Sequence, residues 1–240
     1  MSLVAKDWDR HVRETEQLAR TPGFRRLRGR ILARVRPTKS DAVVDIGAGT
    51  GLLALGLAPA VSDVRAVDIS PAMTGYLHSR AQQLGLDNVE PITATAIDLP
   101  MPDCSATAVV SNYVYHHLND ADKQRGLAEA YRVLRPGGRL VIGDMMFRPQ
   151  LTDSRSRRVI GAKVKAFLKK GVPGVIRLLK NILRYVTGNW EQPADPDWWR
   201  QALERAGFVE IDVQPLDHEG GIVSARRPSE PAAAPSGAGS

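Results

Sequence analysis

The sequence predicts an α/β fold: a doubly wound, mostly parallel seven-stranded sheet with an antiparallel C-terminal edge and a helical insertion after the fifth strand. Three observations carry this expectation. Between residues 42 and 144, short apolar runs of strand length alternate with helical stretches, which is the pattern of right-handed βαβ units. A glycine-rich turn, Asp45-Ile46-Gly47-Ala48-Gly49-Thr50-Gly51, follows the first run directly. The alternation stops after Asp144, a basic stretch intervenes, and sheet-like sequence resumes beyond it. Residues 145–192 therefore read as an insertion within one domain.

Each element has its own signal. Residues 6–36 are rich in Arg, Glu, Leu and Ala, are broken at Thr21-Pro22-Gly23 and are stopped by Pro37, so N-terminal helices are expected within 1–40. Ala42-Val43-Val44-Asp45-Ile46 is a buried strand, and the glycines after it lead into an apolar helix at about 52–60. Val64-Arg65-Ala66-Val67-Asp68 is the second strand. Ser70 then caps a helix with Pro71 in its first turn. Residues 89–96 and 107–112 supply the third and fourth strands. Leu127, Tyr131 and Leu134 share one face of a helix over 120–134, which stops at the turn signal Arg135-Pro136-Gly137-Gly138. Residues 139–143 are the fifth strand. Beyond the insertion, Asp195-Pro196-Asp197 caps a helix at about 198–206, and 209–216 with 222–225 make a hairpin-like antiparallel edge. A single domain thus covers 1–228. The tail at 229–240, built of Pro, Ala, Ser and Gly, is expected to be disordered.

Composition narrows the function classes. Hydrophobic residues make up 43% of 240, enough for a folded core. The one cysteine, Cys104, excludes an internal disulfide framework and a Cys-rich zinc site, and fits a reducing compartment. No metal cluster is evident. The N-terminus lacks the apolar run of a signal peptide, and no stretch is long and apolar enough to span a bilayer. The expectation is a cytoplasmic protein, at most peripheral at the inner face of the membrane.

The net charge of +7 is unevenly spread. Ten basic residues lie between Arg155 and Arg184, with no Asp or Glu among them; the remaining 23 basic residues face 26 acidic ones, a net of −3. Apolar residues recur at helical spacing through the same stretch, including Val175, Leu178, Leu179, Ile182 and Leu183, with Arg177, Lys180 and Arg184 mostly off that stripe. Three readings stay open. The stretch is a lid whose apolar face packs over the cleft, or a basic amphipathic contact with an anionic membrane through 155–186, or a nucleic-acid surface. The last is least favoured, because Phe167 and Tyr185 are its only aromatic residues suited to stacking.

The glycine-rich turn carries the chemistry. Glycines between a strand and a helix let the backbone turn sharply and let a ligand approach without meeting a Cβ. In open α/β sheets, ligands bind outside the carboxyl ends of the strands. Asp68 ends the next strand, where a carboxylate can accept hydrogen bonds from both hydroxyls of a ribose. A dinucleotide fingerprint needs its third glycine one position later than Gly51, where Leu52 stands instead, and no Lys-Ser/Thr pair makes a P-loop. The turn suits a nucleoside cofactor without a pyrophosphate.

Five segments in order resemble the class I S-adenosylmethionine (SAM)-dependent methyltransferases, in the broad group of the ubiquinone/menaquinone-biosynthesis C-methyltransferases. They are Val-Val-Asp-Ile-Gly-Ala-Gly-Thr-Gly, Ala-Val-Asp-Ile-Ser-Pro-Ala-Met, Asp-Leu-Pro-Met-Pro-Asp, Ser-Asn-Tyr-Val-Tyr-His-His-Leu and Tyr-Arg-Val-Leu-Arg-Pro-Gly-Gly-Arg-Leu. The resemblance spans 41–145, with a weaker echo in 198–225. It implies the Rossmann-like methyltransferase fold and SAM as cofactor. It implies that Gly47, Gly49, Thr50 and Gly51 line the methionine and ribose portions, with Asp45 fixing the loop and Asp68 holding the ribose. Where the family usually has Gly-Asp-Ala against the adenine, this chain has Ala94-Thr95-Ala96; Thr95 keeps a hydroxyl without the charge, and recognition leans on the backbone of Ala96 and Ile97. Asn112 falls near the methionine end.

His117, His116, Tyr115 and Asp144 follow the fourth and fifth strands and are the candidate proton acceptors. An adjacent histidine pair at a strand end turns only one side chain toward the cleft, and histidines there also serve to shape the pocket. Asn/Asp-Pro-Pro-Tyr, the mark of amino-methylating nucleic-acid enzymes, is replaced by Ser111-Asn112-Tyr113-Val114, and Cys104 follows Asp103 rather than the Pro of a cytosine C5 enzyme. The expected function is methyl transfer from SAM to a small, apolar or lipid-like acceptor. The alternatives are an RNA-directed methyltransferase using the basic insertion and a non-catalytic SAM-binding regulatory module.

Overall fold

The computed structural model describes residues 8–146, 161, 192–216 and 219–229. A 3-10 turn at Trp8–His11 leads into α1 (Val12–Ala19) and α2 (Pro22–Val35). Then follow β1 (Ala42–Ile46), α3 (Ala54–Leu57), β2 (Asp63–Asp68), α4 (Pro71–Gln83), β3 (Val89–Thr93), β4 (Ala106–Asn112), α5 (Asp120–Val133), β5 (Leu134–Met145), α6 (Pro196–Arg205), β6 (Val209–Pro215) and β7 (Gly220–Arg226). The seven strands form one sheet in the order β3-β2-β1-β4-β5-β7-β6. The first five strands pair in parallel, and β7 pairs antiparallel with both β5 and β6.

The two faces of the sheet bury different residues because successive side chains on a strand alternate. On β5, Leu140 and Ile142 pack into one core with Leu127 and Val133 of α5 and Trp199 and Leu203 of α6. Val141 between them joins the opposite core, with Leu27 and Ile31 of α2, Leu57 of α3 and Leu77 of α4. Each fully buried Leu or Ile contributes about 1.5–3 kcal/mol, so both layers of helix are held by the sheet they cover.

The caps expected at Ser70 and Asp195 form, and Asn119 caps α5 as well. Ser70 Oγ accepts from Met73 N at 3.1 Å, Asn119 Oδ1 from Asp122 N at 2.9 Å, and Asp195 Oδ1 from Trp198 N at 2.8 Å. Three boundaries differ from the sequence reading. The helix expected at 52–60 is only one turn of α-helix, α3, continued by a 3-10 turn at Ala58–Ala60, because Pro59 removes a backbone donor. The third strand stops at Thr93 rather than 96, since Thr95 turns back to bridge Asp98. Arg135-Pro136-Gly137-Gly138 does end α5, yet the chain runs on extended through it into β5, with Gly137 at φ +75° taking the bend.

β1 lies between β2 and β4, so the strand order reverses there, and the carboxyl ends of β1, β2, β4 and β5 open on one side. β5 ends on that side at Met145. The chain returns at Gln192, whose N–H donates to the His116 carbonyl at 2.7 Å. The lid and membrane readings of 145–192 fall outside the described residues, apart from Met145, Met146, Gly161 and Gln192.

Candidate active site

The turn after β1 is built on Asp45. Its Oδ2 accepts from Ala54 N at 3.0 Å and so anchors the start of α3. Burial, reinforced by the neighbouring Asp68, pushes its carboxyl up to about 7 even though the Ala54 N–H pulls the other way. Gly47 and Gly49 adopt φ of +69° and +53°, where a side chain is strained. A Cβ on Gly47 would lie 2.1 Å from Val114 Cγ2, so only glycine lets the turn pass beneath the β4 loop.

Asp68 ties the second strand to this turn. Its Oδ2 accepts from Gly49 N at 2.8 Å and its Oδ1 from Ser70 N at 2.9 Å. The Ile69 N–H also favours the ionised carboxyl, and a carboxylate with about four acceptor positions keeps room for a ligand donor. Burial holds its carboxyl above the usual range despite these donors.

At the end of β4, Ser111 Oγ donates to the Ile46 carbonyl at 2.8 Å and fixes β4 against β1. Asn112 follows, its Oδ1 buried without a hydrogen-bond partner among the described residues. Tyr113 is held at φ +59°, with its N–H on the Gly143 carbonyl at 2.8 Å. Such a backbone costs on the order of 1–3 kcal/mol in a non-glycine residue. Here it sets the ring against Phe24 and against His116, with centroids 5.1 and 5.7 Å apart.

His116 and Asp144 form a buried pair, 4% and 0% exposed. His116 Nδ1 lies 2.5 Å from Asp144 Oδ1, and the His116 backbone N–H donates to Oδ2 at 3.1 Å. Met145 N adds a bond to Oδ1 at 2.6 Å. The His117 ring lies against His116 at a tilt of 47°, centroids 3.9 Å apart, and meets the Trp8 ring edge-on at 4.8 Å.

These groups enclose a cavity of about 470 Å³, within the range of small-molecule sites. Of the residues expected from sequence, Asp45, Gly47, Gly49, Thr50, Asp68, Thr95, Ala96, Asn112, His116 and His117 line it. Three do not. Gly51 packs away from it, where a Cβ would meet Leu77 Cδ1 at 2.4 Å and Leu55 Cγ at 2.8 Å; its glycine serves helix packing. Asp144 stands behind His116. Tyr115, fully buried, points into the core against Trp199 at 5.5 Å, and burial holds its phenol well above its usual value, so it is no proton acceptor.

The opposite wall was not foreseen. Trp8, Thr15, Leu18, Ala19 and Phe24 of the N-terminal helices cover the cavity, and Tyr113, Val114 and Met145 join them. Asp9 fastens this cover: its Oδ1 accepts from Ser70 Oγ at 2.5 Å and from Ala72 N at 3.2 Å. The Trp8-Asp9 pair was the available signal, an aromatic and an acid heading an amphipathic helix. Nothing local says which strand end that helix covers. Among the described residues, no group of three His, Cys, Asp or Glu could hold a metal ion, and no helix is long and apolar enough to cross a membrane.

Comparison with known proteins agrees with this geometry. A family model described as a methyltransferase domain matches residues 43–138. A demethylmenaquinone methyltransferase of Clavibacter sepedonicus is 30% identical over 201 residues, covering 82% of this chain and 77% of its own length. Another, of Thermus thermophilus, is 33% identical over 169 residues, covering 69% and 73%. The crystal structure of a SAM-dependent methyltransferase from Aquifex aeolicus superposes with a TM-score of 0.64 at 19% identity, over 90% of this chain and 98% of that one, and so shares the fold. The chain belongs to the class I SAM-dependent methyltransferases, in the group of the ubiquinone/menaquinone-biosynthesis C-methyltransferases.

Proposed function

We propose that this enzyme transfers the methyl group of SAM to a small aromatic acceptor with a lipid-like tail, of the quinone-precursor class. The observation that carries the reading is the two-sided cavity. Its strand-end side is polar, with Asp68 and Asn112, whose Oδ1 is buried without a partner among the described residues. Its helical side is apolar and aromatic, with Trp8, Leu18, Phe24 and Tyr113. Leu18 remains 51% exposed at this wall. The names of the relatives from Clavibacter and Thermus support the acceptor class.

The residues present fit the cofactor. Asp68 keeps acceptor room for a ribose hydroxyl. Asn112 Oδ1 has no donor among the described residues, and the methionine ammonium would supply one. Gly47, Gly49 and Thr50 bring backbone close to the methionine and ribose. Thr95 and Ala96 border the adenine, the Thr95 hydroxyl already accepting weakly from Ile97 N at 3.4 Å. SAM supplies a methyl group activated by its sulfonium. The protein's task is to exclude water and to hold the acceptor in line with that methyl, a positioning effect of up to about 7–11 kcal/mol in well-oriented systems.

A lipid-tailed acceptor is delivered from a membrane. The ten cationic residues between 155 and 184 suit an anionic surface, each contributing roughly 1 kcal/mol close to it. Calorimetric titration with SAM, wild type against Asp68→Ala, tests the cofactor site; sub-millimolar binding lost in the variant is expected. Methyl-labelled SAM with reduced short-chain demethylmenaquinone, with and without anionic vesicles, tests the acceptor. Transfer to the quinol, raised by anionic but not by neutral vesicles, is expected. Absence of SAM binding would sink the whole reading; binding without transfer to the quinol would sink the acceptor class.

A further inference from the structure

We propose that His116, oriented by Asp144, is the proton acceptor of the transfer step, and that the acceptor is therefore one that must surrender a proton: a phenolic or enolic hydroxyl, or the ring carbon of a hydroquinone. This rests on the methyltransferase reading above and deepens it.

The argument begins with Asp144. A carboxylate with no exposed surface is costly unless its lone pairs are filled. Here two backbone N–H groups, from His116 and Met145, and the His116 ring fill them. The two backbone groups can only donate, and the ring nitrogen completes the set at 2.5 Å, so we assign the ring hydrogen to His116 Nδ1. That fixes the tautomer: Nε2 is left as the basic nitrogen. His116 lines the cavity while Asp144 does not.

A third group therefore orients the base, an arrangement that recurs where a side chain takes a proton from a substrate. The packing fixes the ring further. Tyr113 meets it edge-on from its strained backbone position, and His117 lies beside it. His117 itself turns to Trp8 on the covering helix. Among the candidates from sequence, His116 combines a place in the cavity wall with a buried carboxylate 2.5 Å from its ring.

The step balances as follows. An electron pair on the acceptor oxygen or ring carbon forms the new bond to the methyl carbon. The carbon–sulfur bond breaks with its pair going to sulfur, which leaves S-adenosylhomocysteine. The proton on the acceptor atom passes to His116 Nε2. The positive charge that left the sulfonium then rests on the imidazolium beside Asp144, and the proton is lost to water when the products leave. An acceptor that is already a neutral, proton-free nucleophile has no use for this pair.

Two measurements test the proposal. Nitrogen-detected NMR of the histidine rings, with His116→Gln for assignment, should show the Nδ1–H tautomer for His116, lost or mixed in Asp144→Asn. With reduced short-chain demethylmenaquinone as the probe acceptor, His116→Gln should lower kcat by about 100-fold or more. KM and the SAM dissociation constant should stay within about threefold. Asp144→Asn should lower kcat with the same split. A His116→Gln variant that binds SAM normally and keeps wild-type kcat overturns the base assignment and leaves the methyltransferase reading intact. A wild-type Nε2–H tautomer overturns it as well. If the quinol is not methylated at all, the acceptor class falls, and the tautomer still decides for or against His116 as a free base.

Discussion

Asp45 offers a test of the site's electrostatics that needs no acceptor. Its carboxyl is buried at the foot of the glycine turn, held near 7 against an ordinary value of 3.8. The folded state therefore binds a proton between about pH 4 and 7 that the unfolded chain does not. For a carboxyl raised in this way, stability falls as pH rises through that window and is flat above it. Each pH unit within the window removes about 1.4 kcal/mol. Between pH 5 and 8 the pH crosses about two units of the window, for a loss on the order of 3 kcal/mol. Asp45→Asn is neutral at every pH and keeps an amide oxygen for Ala54 N. For a chain of this size 1 kcal/mol moves Tm by about 2–4 °C. The Tm difference between variant and wild type should therefore grow by roughly 6–12 °C from pH 5 to pH 8. Comparing the two proteins at each pH cancels titrating groups that do not interact with Asp45, leaving the neighbouring Asp68 as the group that shifts with it. A Tm difference equal at the two pH values would refute the burial argument. The same reasoning reaches ligand binding. A cationic cofactor beside Asp45 and Asp68 favours the ionised carboxyl, so SAM binding at pH 6 should release a proton. Titration in buffers of differing ionisation enthalpy measures it.

Two substitutions separate packing from chemistry. Gly47→Ala places a methyl 2.1 Å from Val114 Cγ2 at φ +69°; it should cost about 1–3 kcal/mol in denaturant unfolding and weaken SAM binding, with Val114→Ala restoring part of both. Tyr115→Phe removes a hydroxyl that is buried without a partner among the described residues; stability should hold or rise by up to about 1 kcal/mol, and methyl transfer should be unchanged, whereas a large loss of kcat would return Tyr115 to the chemistry.

The parts of this molecule legible in its sequence are those fixed by local rules. Asp45, Gly47, Gly49 and Asp68 announce themselves because a turn of that sharpness after a buried strand needs glycine, and because a carboxylate at the next strand end has few reasons to be there. The caps at Ser70 and Asp195 are equally local. Gly51 looked like part of the same ligand turn, since spacing alone cannot tell a glycine that admits a ligand from one that admits Leu77 and Leu55. The His116–Asp144 pair shows the limit most sharply. Both residues were marked by their strand ends, but 28 positions separate them, and which histidine meets the carboxylate depends on the parallel register of β4 and β5, where Asn112 faces Gly143. Tyr115, a candidate on the same grounds, is turned into the core by the 3-10 turn at Tyr115–His117, whose geometry sends neighbouring side chains to different sides.

The covering helix was the hardest part to foresee, and for a related reason. Trp8 and Asp9 reach the site by contacts with Ser70, Ala72 and His117 more than sixty residues away. Only one of those contacts, the Ser70 cap, has any sequence signature. Asp9 shares that cap: Ser70 Oγ accepts from Met73 N while donating to Asp9. The start of α4, the carboxylate of Asp68 and the N-terminal cover are thus joined through one serine. A ligand drawing on Asp68 therefore meets a site whose cover is fastened to the same strand end, and the cavity's polar and apolar walls are set by a single local structure.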